Sequence, residues 1–458
     1  MTKKIACLGG GSWYFARTLG DLVTAPGLAG SELTLYDVDH AKCAVMERHG
    51  RRLADLAGTG MTVRASATLA DAVDGADFAL AAIGGAGKSS RHVYDTGVHL
   101  RDVLIPAEYG VYQLIGDTGG PAGMMMALRS VPAYLEVCRE LERRAPRAVL
   151  FNHSNPMAVL CRAMTKYTGV NVVGICHGVQ VGIKTVADVL GVPGDELETT
   201  WVGTNHYHWF TAIRHRGRDV YAEAMRRFRE RPTPETHRMT QRLSELYGHR
   251  IVYPDDAHAL EFYPFLTQAP DAQHLPYEQR FGGHSDLPAD GVVREPEGGA
   301  AGEARRREQL AQLEAELGAI GLPDPNASWL DGEGLGVLIE AIATGRRHVH
   351  IVNVENRGSV PNLPAYANVE VEAVTDSTGV RPIYAGPAPI ALMGLLQKRI
   401  AWQELVADAA VKGDRNLALQ AMLVDEMAVV PEKAEAMLDE LLASSKELLP
   451  QFRRATAV

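Results

Sequence analysis

The chain has 458 residues, of which 46% are hydrophobic and 22% are charged, and its formal net charge is −10. At roughly 150 residues per domain this length corresponds to about two or three soluble globular domains, and the negative charge argues against a nucleic-acid partner. The sequence has no apolar run long enough to cross a bilayer, and its five cysteines do not indicate a disulfide framework. We therefore expect a cytoplasmic protein without a membrane partner.

Strand-like and helix-like segments alternate through the first 190 residues. Short apolar runs predict strands, and amphipathic segments between them predict helices. The predicted strands are 5–8, 32–37, 62–65, 77–83, 148–151 and 172–175, and the predicted helices are 15–23, 41–57, 68–73 and 122–142. This alternation predicts an α/β fold with a Rossmann-type, doubly wound parallel sheet over residues 1–195.

The pattern changes near Glu198 and predicts a second, C-terminal α+β domain over residues 196–458. Its predicted elements are a strand and turn at 199–210, a basic helix at 222–247, an exposed loop at 284–303, a charged helix at 304–317, strands at 348–354 and 367–373, and helices from 390 onward. We expect the active site to lie between the two domains.

A glycine-rich turn, Gly9-Gly10-Gly11-Ser12, follows the first predicted strand. Glycines let the backbone approach a pyrophosphate at a helix N-terminus, but the match to G-x-G-x-x-G is partial, and a plain tight turn is the alternative. The second predicted strand ends at Asp37, whose carboxylate could accept a ribose 2′-hydroxyl and would repel a 2′-phosphate. We therefore expect Gly9, Gly11, Ser12 and Asp37 to bind NAD rather than NADP.

Cys176 and His206 each follow the end of a predicted strand and could share one divalent ion. Two protein ligands leave positions open for substrate oxygens and water, as a catalytic metal requires. The alternatives are that Cys176 is a core residue and that His206 is a hydrogen-bonded turn residue. A glycine turn together with such a pair predicts that a redox cofactor and a Lewis acid act on one substrate.

Two polar loops and one titratable segment complete the candidate site. Residues 152–156 (NHSNP) could hydrogen-bond a sugar or a ribose, or simply form an Asx turn before proline. Residues 116–121 (GDTGGP) could hold substrate or form only a turn and a helix start. Residues 247–262 are rich in titratable groups and aromatic rings, and they could supply a general base or be solvated loop residues.

These motifs, in this order and spacing, resemble glycoside hydrolase family 4, the NAD-dependent glycosidases, over essentially the whole chain. Further matching segments are 35–39 (LYDVD), 155–157 (NPM), 353–358 (NVENRG), 362–364 (NLP) and 369–371 (VEV). The sequence Cys176-His177-Gly178 is similar to the α-glucosidase, α-galactosidase and α-galacturonidase branch. In the 6-phospho-glycosidase branch the cysteine is typically followed by Asp or Asn.

The resemblance implies an NAD-assisted elimination in place of the usual two-carboxylate hydrolysis of an α-glycoside. The sugar would lose a hydride from C3 to NAD⁺, which makes its C2 proton acidic. A base would remove that proton, the aglycone would leave from C1, water would add, and the hydride would return. A divalent metal, usually Mn²⁺, would polarise the C2 and C3 oxygens.

The resemblance also implies roles for individual residues. Cys176 and His206 would bind the metal, Asn155 would contact the substrate, His177 would be the proton donor, and Asp117 would lie near the glycone. We further expect a small carbohydrate substrate and a homodimer or homotetramer.

The general base stays open between Tyr247 and Asp256. Relatives often have Gly-Asp-Arg-His in this region, whereas this chain has Asp255-Asp256-Ala257-His258 and lacks the arginine. Such an arginine could recognise an anionic or a hydroxyl group, so the substrate class stays open as well.

Two other functions remain as alternatives. An NAD-dependent dehydrogenase of a hydroxy acid or a sugar would use the same glycine turn but would accumulate NADH. A catalytically inactive nucleotide-binding protein would have no need of Cys176 and His206, so their presence argues against it.

Overall fold

The structure, a computed structural model, describes residues 2–84, 97–113, 115–267, 299–426 and 429–454. Within these residues the largest element is a nine-stranded sheet, and six of its strands run parallel in the order β3-β2-β1-β4-β5-β6. They are β1 (Lys4–Leu8), β2 (Glu32–Tyr36), β3 (Thr62–Ala65), β4 (Phe78–Ala81), β5 (Val149–Asn152) and β6 (Asn171–Gly174). The strand order reverses between β1 and β4, which opens a ligand-binding crevice at the carboxyl ends of those two strands.

Both faces of this parallel sheet are covered, and its strands are therefore apolar on both sides. Ile5 and Cys7 of β1 face one core, and Ala6 and Leu8 face the other, and all four are buried. The first-half helices are α1 (Phe15–Thr24), α2 (His40–Ala57), α3 (Leu69–Val73), α4 (Gly97–Glu108), α5 (Gly120–Arg144), α6 (Met157–Tyr167) and α7 (Gly178–Leu190). The predicted Rossmann-type, doubly wound fold is thus confirmed.

The second half of the chain returns to the same sheet. Three antiparallel strands extend it beyond β6, where Asn353 pairs with Gly174. They are β10 (His348–Glu355), β11 (Asn368–Asp376) and β12 (Gly379–Pro382), while β7 (Leu197–Thr204), β8 (Tyr207–His215) and β9 (Arg218–Asp219) form a separate antiparallel sheet. The division near residue 195 stays a prediction, because strands from both sides of it share one sheet.

Helices make up most of the remaining second half. They are α8 (Tyr221–Glu230), α9 (Arg238–Tyr247), α10 (Asp256–Ala259), α11 (Pro264–Thr267), α12 (Gly299–Gly318), α13 (Leu335–Thr344), α14 (Ile390–Lys412), α15 (Arg415–Val424), α16 (Pro431–Ser444) and α17 (Pro450–Arg454). Long α14 packs against α5, α6 and α15. No helix in the described ranges is both long and apolar enough to cross a bilayer.

One predicted helix differs from the structure, and one predicted loop falls largely outside the described residues. The predicted helix at 222–247 is wrong as a single element, since α8 and α9 are separated at Pro232 and Pro234, which disfavour helical continuation. Of the predicted loop at 284–303, residues 284–298 lie outside the described residues, and α12 already begins at Gly299.

Candidate active site

Four of the predicted site residues meet in one chain of hydrogen bonds, and Thr118 completes it. Asn155 Nδ2 donates to Asp117 Oδ2 at 2.7 Å, and the Thr118 hydroxyl donates to Asp117 Oδ1 at 2.6 Å. The same hydroxyl lies 3.0 Å from His206 Nδ1, and His206 Nε2 lies 3.4 Å from Cys176 Sγ. These hydrogen bonds therefore connect the loops after β5 and β6, the loop before α5 and the β7–β8 turn.

The hydrogen bonds of Thr118 indicate which ring nitrogen of His206 carries the proton. A hydroxyl has one hydrogen, and Thr118 gives it to Asp117, so its oxygen accepts a proton-bearing Nδ1–H from His206. The other ring nitrogen, Nε2, then presents its lone pair toward Cys176 Sγ. This is the tautomer that a metal ligand needs, held by a hydrogen bond on the opposite side of the ring.

The backbone presents both candidate ligands from tight positions. His206 lies in the two-residue turn between β7 and β8 with φ +62°, a left-handed conformation that is uncommon for a residue other than glycine. Cys176 follows β6, and its sulfur accepts the Gly178 backbone N–H at 3.4 Å at the start of α7. The positive end of that helix favours a thiolate there.

The electrostatics of the pair fit a cation. Burial lowers the pKa of His206 to about 3, so its imidazole is neutral at neutral pH, while burial raises the pKa of the Cys176 thiol. A divalent ion would offset the cost of a buried thiolate, and neutral imidazole with thiolate is a donor set that transition metals accept. Among the described residues no cluster of three or more His, Cys, Asp or Glu side chains is arranged to hold a metal.

The glycine turn lies at the reversal point of the sheet and has no room for side chains. Gly9 has φ +73°, and a Cβ there would overlap the carbonyl oxygen of Ala82, the residue after β4. The Gly11 backbone N–H donates to Asp37 Oδ2 at 2.9 Å, and the Ser12 N–H donates to the Gly9 carbonyl at 2.7 Å. The four predicted cofactor residues therefore lie together, in a cradle that fits a dinucleotide.

His177 lies at the rim of the site, and its partner is a residue that sequence reasoning missed. It is the N-cap residue that precedes α7, its side chain is 54% exposed, and Nδ1 lies 3.8 Å from Glu333 Oε1. The nearby Glu333 carboxylate raises the pKa of His177, which favours a protonated acid. Glu333 lies in a Gly-Glu-Gly segment with no periodicity, so no sequence pattern singled it out.

The two candidate bases, Asp256 and Tyr247, contact a helix start and an aromatic ring, respectively. Both oxygens of the buried Asp256 accept backbone N–H groups at the start of α9, from Met239 at 3.0 Å and from Thr240 at 2.7 Å. The Tyr247 ring packs against Tyr263, with centroids 6.0 Å apart. The structure thus gives Asp256 a helix-capping position and places Tyr247 in an aromatic cluster.

Tyr253, a residue of the same segment, faces the candidate metal ligands instead. Its ring centroid lies 5.2 Å from that of His206 and 4.5 Å from that of His258. Burial raises the pKa of Tyr253. The sequence marked this segment as rich in titratable groups, but only the fold shows which of its tyrosines faces His206.

The loop that carries Asp117 is held by the second half of the chain. Glu261 Oε1 accepts the Ile115 N–H at 2.6 Å and also the Gly116 N–H. Asp425 Oδ2 accepts the Gly120 N–H at 3.1 Å. The position of Asp117 therefore depends on residues more than 100 positions away in sequence.

Comparison with known families covers nearly the whole chain. Residues 4–192 match the model described as family 4 glycosyl hydrolase, and residues 201–428 match the model described as the family 4 glycosyl hydrolase C-terminal domain. The resemblance stated from the motifs is thereby confirmed.

Individual relatives agree with the family match. The chain is 28% identical to an alpha-galactosidase of Bacillus subtilis, over 98% of this chain and 100% of the relative. It is 29% identical to an alpha-galacturonidase of the same organism, over 96% of each. A 6-phospho-alpha-glucosidase from gut microorganisms, solved in complex with NAD and Mn²⁺, superposes with a TM-score of 0.77 at 22% identity, covering 98% of this chain and all of that one. At that identity the superposition shows a shared fold.

Proposed function

Because the chain belongs to family 4 of the glycosyl hydrolases, we propose that it hydrolyses an α-glycoside with the help of NAD and a divalent metal ion, preferably Mn²⁺. The observation that carries this proposal is the set of hydrogen bonds that connects Asn155 to Cys176, at the same carboxyl edge of the parallel sheet as the glycine turn. A relative with this fold has been solved with NAD and Mn²⁺. The Cys-His-Gly sequence and the alpha-galactosidase relative support the α configuration.

The residues of the site divide into binding groups and proton-transfer groups. When bound, the cofactor and the ion supply a reversible hydride acceptor for C3 of the sugar and a Lewis acid for its C2 and C3 oxygens. Cys176 and His206 would hold the ion, and Thr118 would fix the His206 ring. Asn155 and Asp117, bonded to each other, would hydrogen-bond the glycone.

The proton-transfer groups act on C2 and on the aglycone. A ketone at C3 makes the C2 proton acidic, so a base must lie near the metal pair. Tyr247 and Asp256 remain the predicted bases, and we add Tyr253 because its ring contacts His206. A divalent ion at His206 would oppose the effect of burial and lower the Tyr253 pKa. Protonated His177 would donate to the departing aglycone oxygen.

The decisive experiment follows the C2 proton during turnover in D₂O. A panel of nitrophenyl α-glucoside, α-galactoside and α-galacturonide, with NAD⁺, Mn²⁺ and a reductant, first identifies the substrate. Elimination predicts deuterium at C2 of the released sugar and no net NADH, whereas direct displacement at C1 predicts no deuterium. The variants Tyr247→Phe, Tyr253→Phe and Asp256→Asn then identify the base, since only its loss should stop C2 exchange while hydride transfer stays detectable.

A shielded base could return the same proton, so a second measurement is needed. Substrate deuterated at C2 should react more slowly if that bond breaks. Full turnover with neither C2 exchange nor a C2 isotope effect would refute the elimination mechanism. Stoichiometric NADH from an alcohol substrate would instead favour the dehydrogenase alternative.

A further inference from the structure

Glu333 connects three loops at the reversal point of the parallel sheet. Its Oε2 accepts the Tyr14 hydroxyl at 2.6 Å and lies 3.1 Å from His153 Nδ1, while Oε1 faces His177 Nδ1 at 3.8 Å. The Tyr14 ring stacks on His153 with centroids 4.1 Å apart. The Glu333 side chain is only 20% exposed, so this carboxylate belongs to a largely enclosed polar cluster.

The topology places this cluster beside one half of the crevice. Tyr14 precedes α1, immediately after the glycine turn of β1, and His153 follows β5; β4 lies between those strands. In a sheet of this order the pyrophosphate of a dinucleotide sits over the β1 turn, and Asp37 at the end of β2 marks the adenosine side. The nicotinamide half of the proposed NAD would therefore extend over β4 and β5, toward Glu333.

The cluster has one fixed negative charge. Although burial favours the neutral acid, the contacts with His153, His177 and Tyr14 hold the pKa of Glu333 well below its usual range. Two further groups lie near Glu333. Burial lowers the pKa of His350 to about 4, so that ring is neutral at neutral pH.

The second of these groups is Asp21. Its Oδ2 accepts the Gly336 N–H at 2.7 Å, and burial raises its pKa. Asp21 adds no positive charge, and among the described residues the histidines that contact Glu333 are groups that could offset its carboxylate. Glu333 therefore presents a carboxylate to the part of the crevice that lies over β4 and β5.

We propose that Glu333 makes the bound cofactor prefer its oxidised form. The nicotinamide ring of NAD⁺ carries a positive charge and that of NADH does not, so a nearby carboxylate in a largely enclosed site stabilises NAD⁺ selectively. An enzyme that returns its hydride in every cycle must begin each turnover with NAD⁺. The inference rests on the proposed use of NAD and assigns Glu333 an electrostatic positioning role in it.

Equilibrium binding without substrate tests this directly. NAD⁺, NADH and ADP-ribose, which lacks the nicotinamide, are titrated calorimetrically into the full chain and into Glu333→Gln, all in the same buffer. The wild-type chain should bind NAD⁺ more tightly than NADH. The variant should lose about tenfold of that preference, equivalent to about 1.4 kcal/mol, with ADP-ribose affinity unchanged.

Glu340→Gln is the matched control. Glu340 also accepts a backbone N–H from the first half of the chain, that of Gly27 at 2.7 Å, but it does so beyond the opposite end of α1. This variant should keep the wild-type preference. Glu333→Asp, which retains the charge, should keep most of it.

Three results would overturn the inference. One is an unchanged NAD⁺ preference in Glu333→Gln, and another is an equal loss of affinity for all three ligands, which indicates a purely structural role. If Glu333→Gln fails to fold, the wild-type chain still provides a test. NADH binding as tight as NAD⁺ binding would contradict the proposed stabilisation of NAD⁺ by Glu333. A wild-type chain that binds none of the three ligands would instead refute the proposed use of NAD.

Discussion

Replacing Thr118 by valine should weaken metal binding without touching a proposed metal ligand. Valine has a similar shape but removes the hydroxyl that lies 3.0 Å from His206 Nδ1 and 2.6 Å from Asp117 Oδ1. The His206 ring then loses the contact that fixes its tautomer and orientation. Loss of such an outer hydrogen bond typically lowers metal affinity by about 10- to 100-fold, or about 1.4 to 2.7 kcal/mol.

The assay is the dissociation constant for Mn²⁺, measured from the electron paramagnetic resonance signal of the free ion, with NAD⁺ affinity measured in parallel. Thr118→Val should weaken Mn²⁺ binding and leave NAD⁺ binding near the wild-type value. The free energy of unfolding should also fall by about 1–3 kcal/mol for each buried polar atom left unpaired. Thr118→Ser keeps the hydroxyl and should restore most of the Mn²⁺ affinity.

Thr118→Val that binds Mn²⁺ as tightly as the wild-type chain would contradict this prediction, provided that Cys176→Ser has lost the ion. Thr118 would then not orient His206. Equal losses in the valine and serine variants would also refute it, because serine keeps the hydroxyl and the loss would then follow from changed packing at position 118.

Three further predictions concern the glycine turn, the candidate metal ligand Cys176, and the buried Glu261, which holds the loop that carries Asp117. Gly9→Ala should lower the melting temperature and weaken NAD⁺ binding because its Cβ overlaps the Ala82 carbonyl, whereas Gly58→Ala, at φ +64° in open space, should show only the smaller cost of backbone strain. Cys176→Ser should abolish metal-dependent activity and retain NAD⁺ binding by calorimetry; loss of both would indicate misfolding. Burial raises the pKa of Glu261 from 4.5 to about 8, so the folded chain keeps a proton that the unfolded chain releases near 4.5. The contribution of Glu261 to the free energy of unfolding should therefore fall as the pH rises from 4.5 to about 8. Glu261→Gln should remove this contribution from the pH dependence of the free energy of unfolding.

The parts of the fold that local patterns specify could be predicted from the sequence. The six parallel strands and the glycine turn follow from apolar periodicity and from residues with special backbone preferences. The sequence also predicted the strands at 348–354 and 367–373 but placed them in a separate domain. The first of them pairs with β6, and this pairing of Asn353 with Gly174 depends on tertiary packing that no local pattern encodes.

The candidate site divides in the same way. Cys176 and His206 could be singled out because of their residue types and their positions after strands, and the structure brings them together. Glu333 and Tyr253 could not, because their positions depend on how distant loops fold over the sheet. Asp256 shows the reverse case, since an acidic residue in a titratable segment suggests a base, whereas its oxygens accept the first N–H groups of α9.

The C-terminal half is needed to hold the first half of the site in place. Arg399 of α14 pairs with Asp425 Oδ1 at 2.7 Å, and the other oxygen of Asp425 accepts the Gly120 N–H at the start of α5. This buried ion pair fixes the end of the loop that carries Asp117, while Glu261 fixes its beginning. Breaking one partner of a buried pair leaves an uncompensated charge and costs about 3–5 kcal/mol. An isolated N-terminal half would therefore lose the contacts that hold the loop linking Asn155 to His206, so we expect the candidate metal site to form only in the full chain.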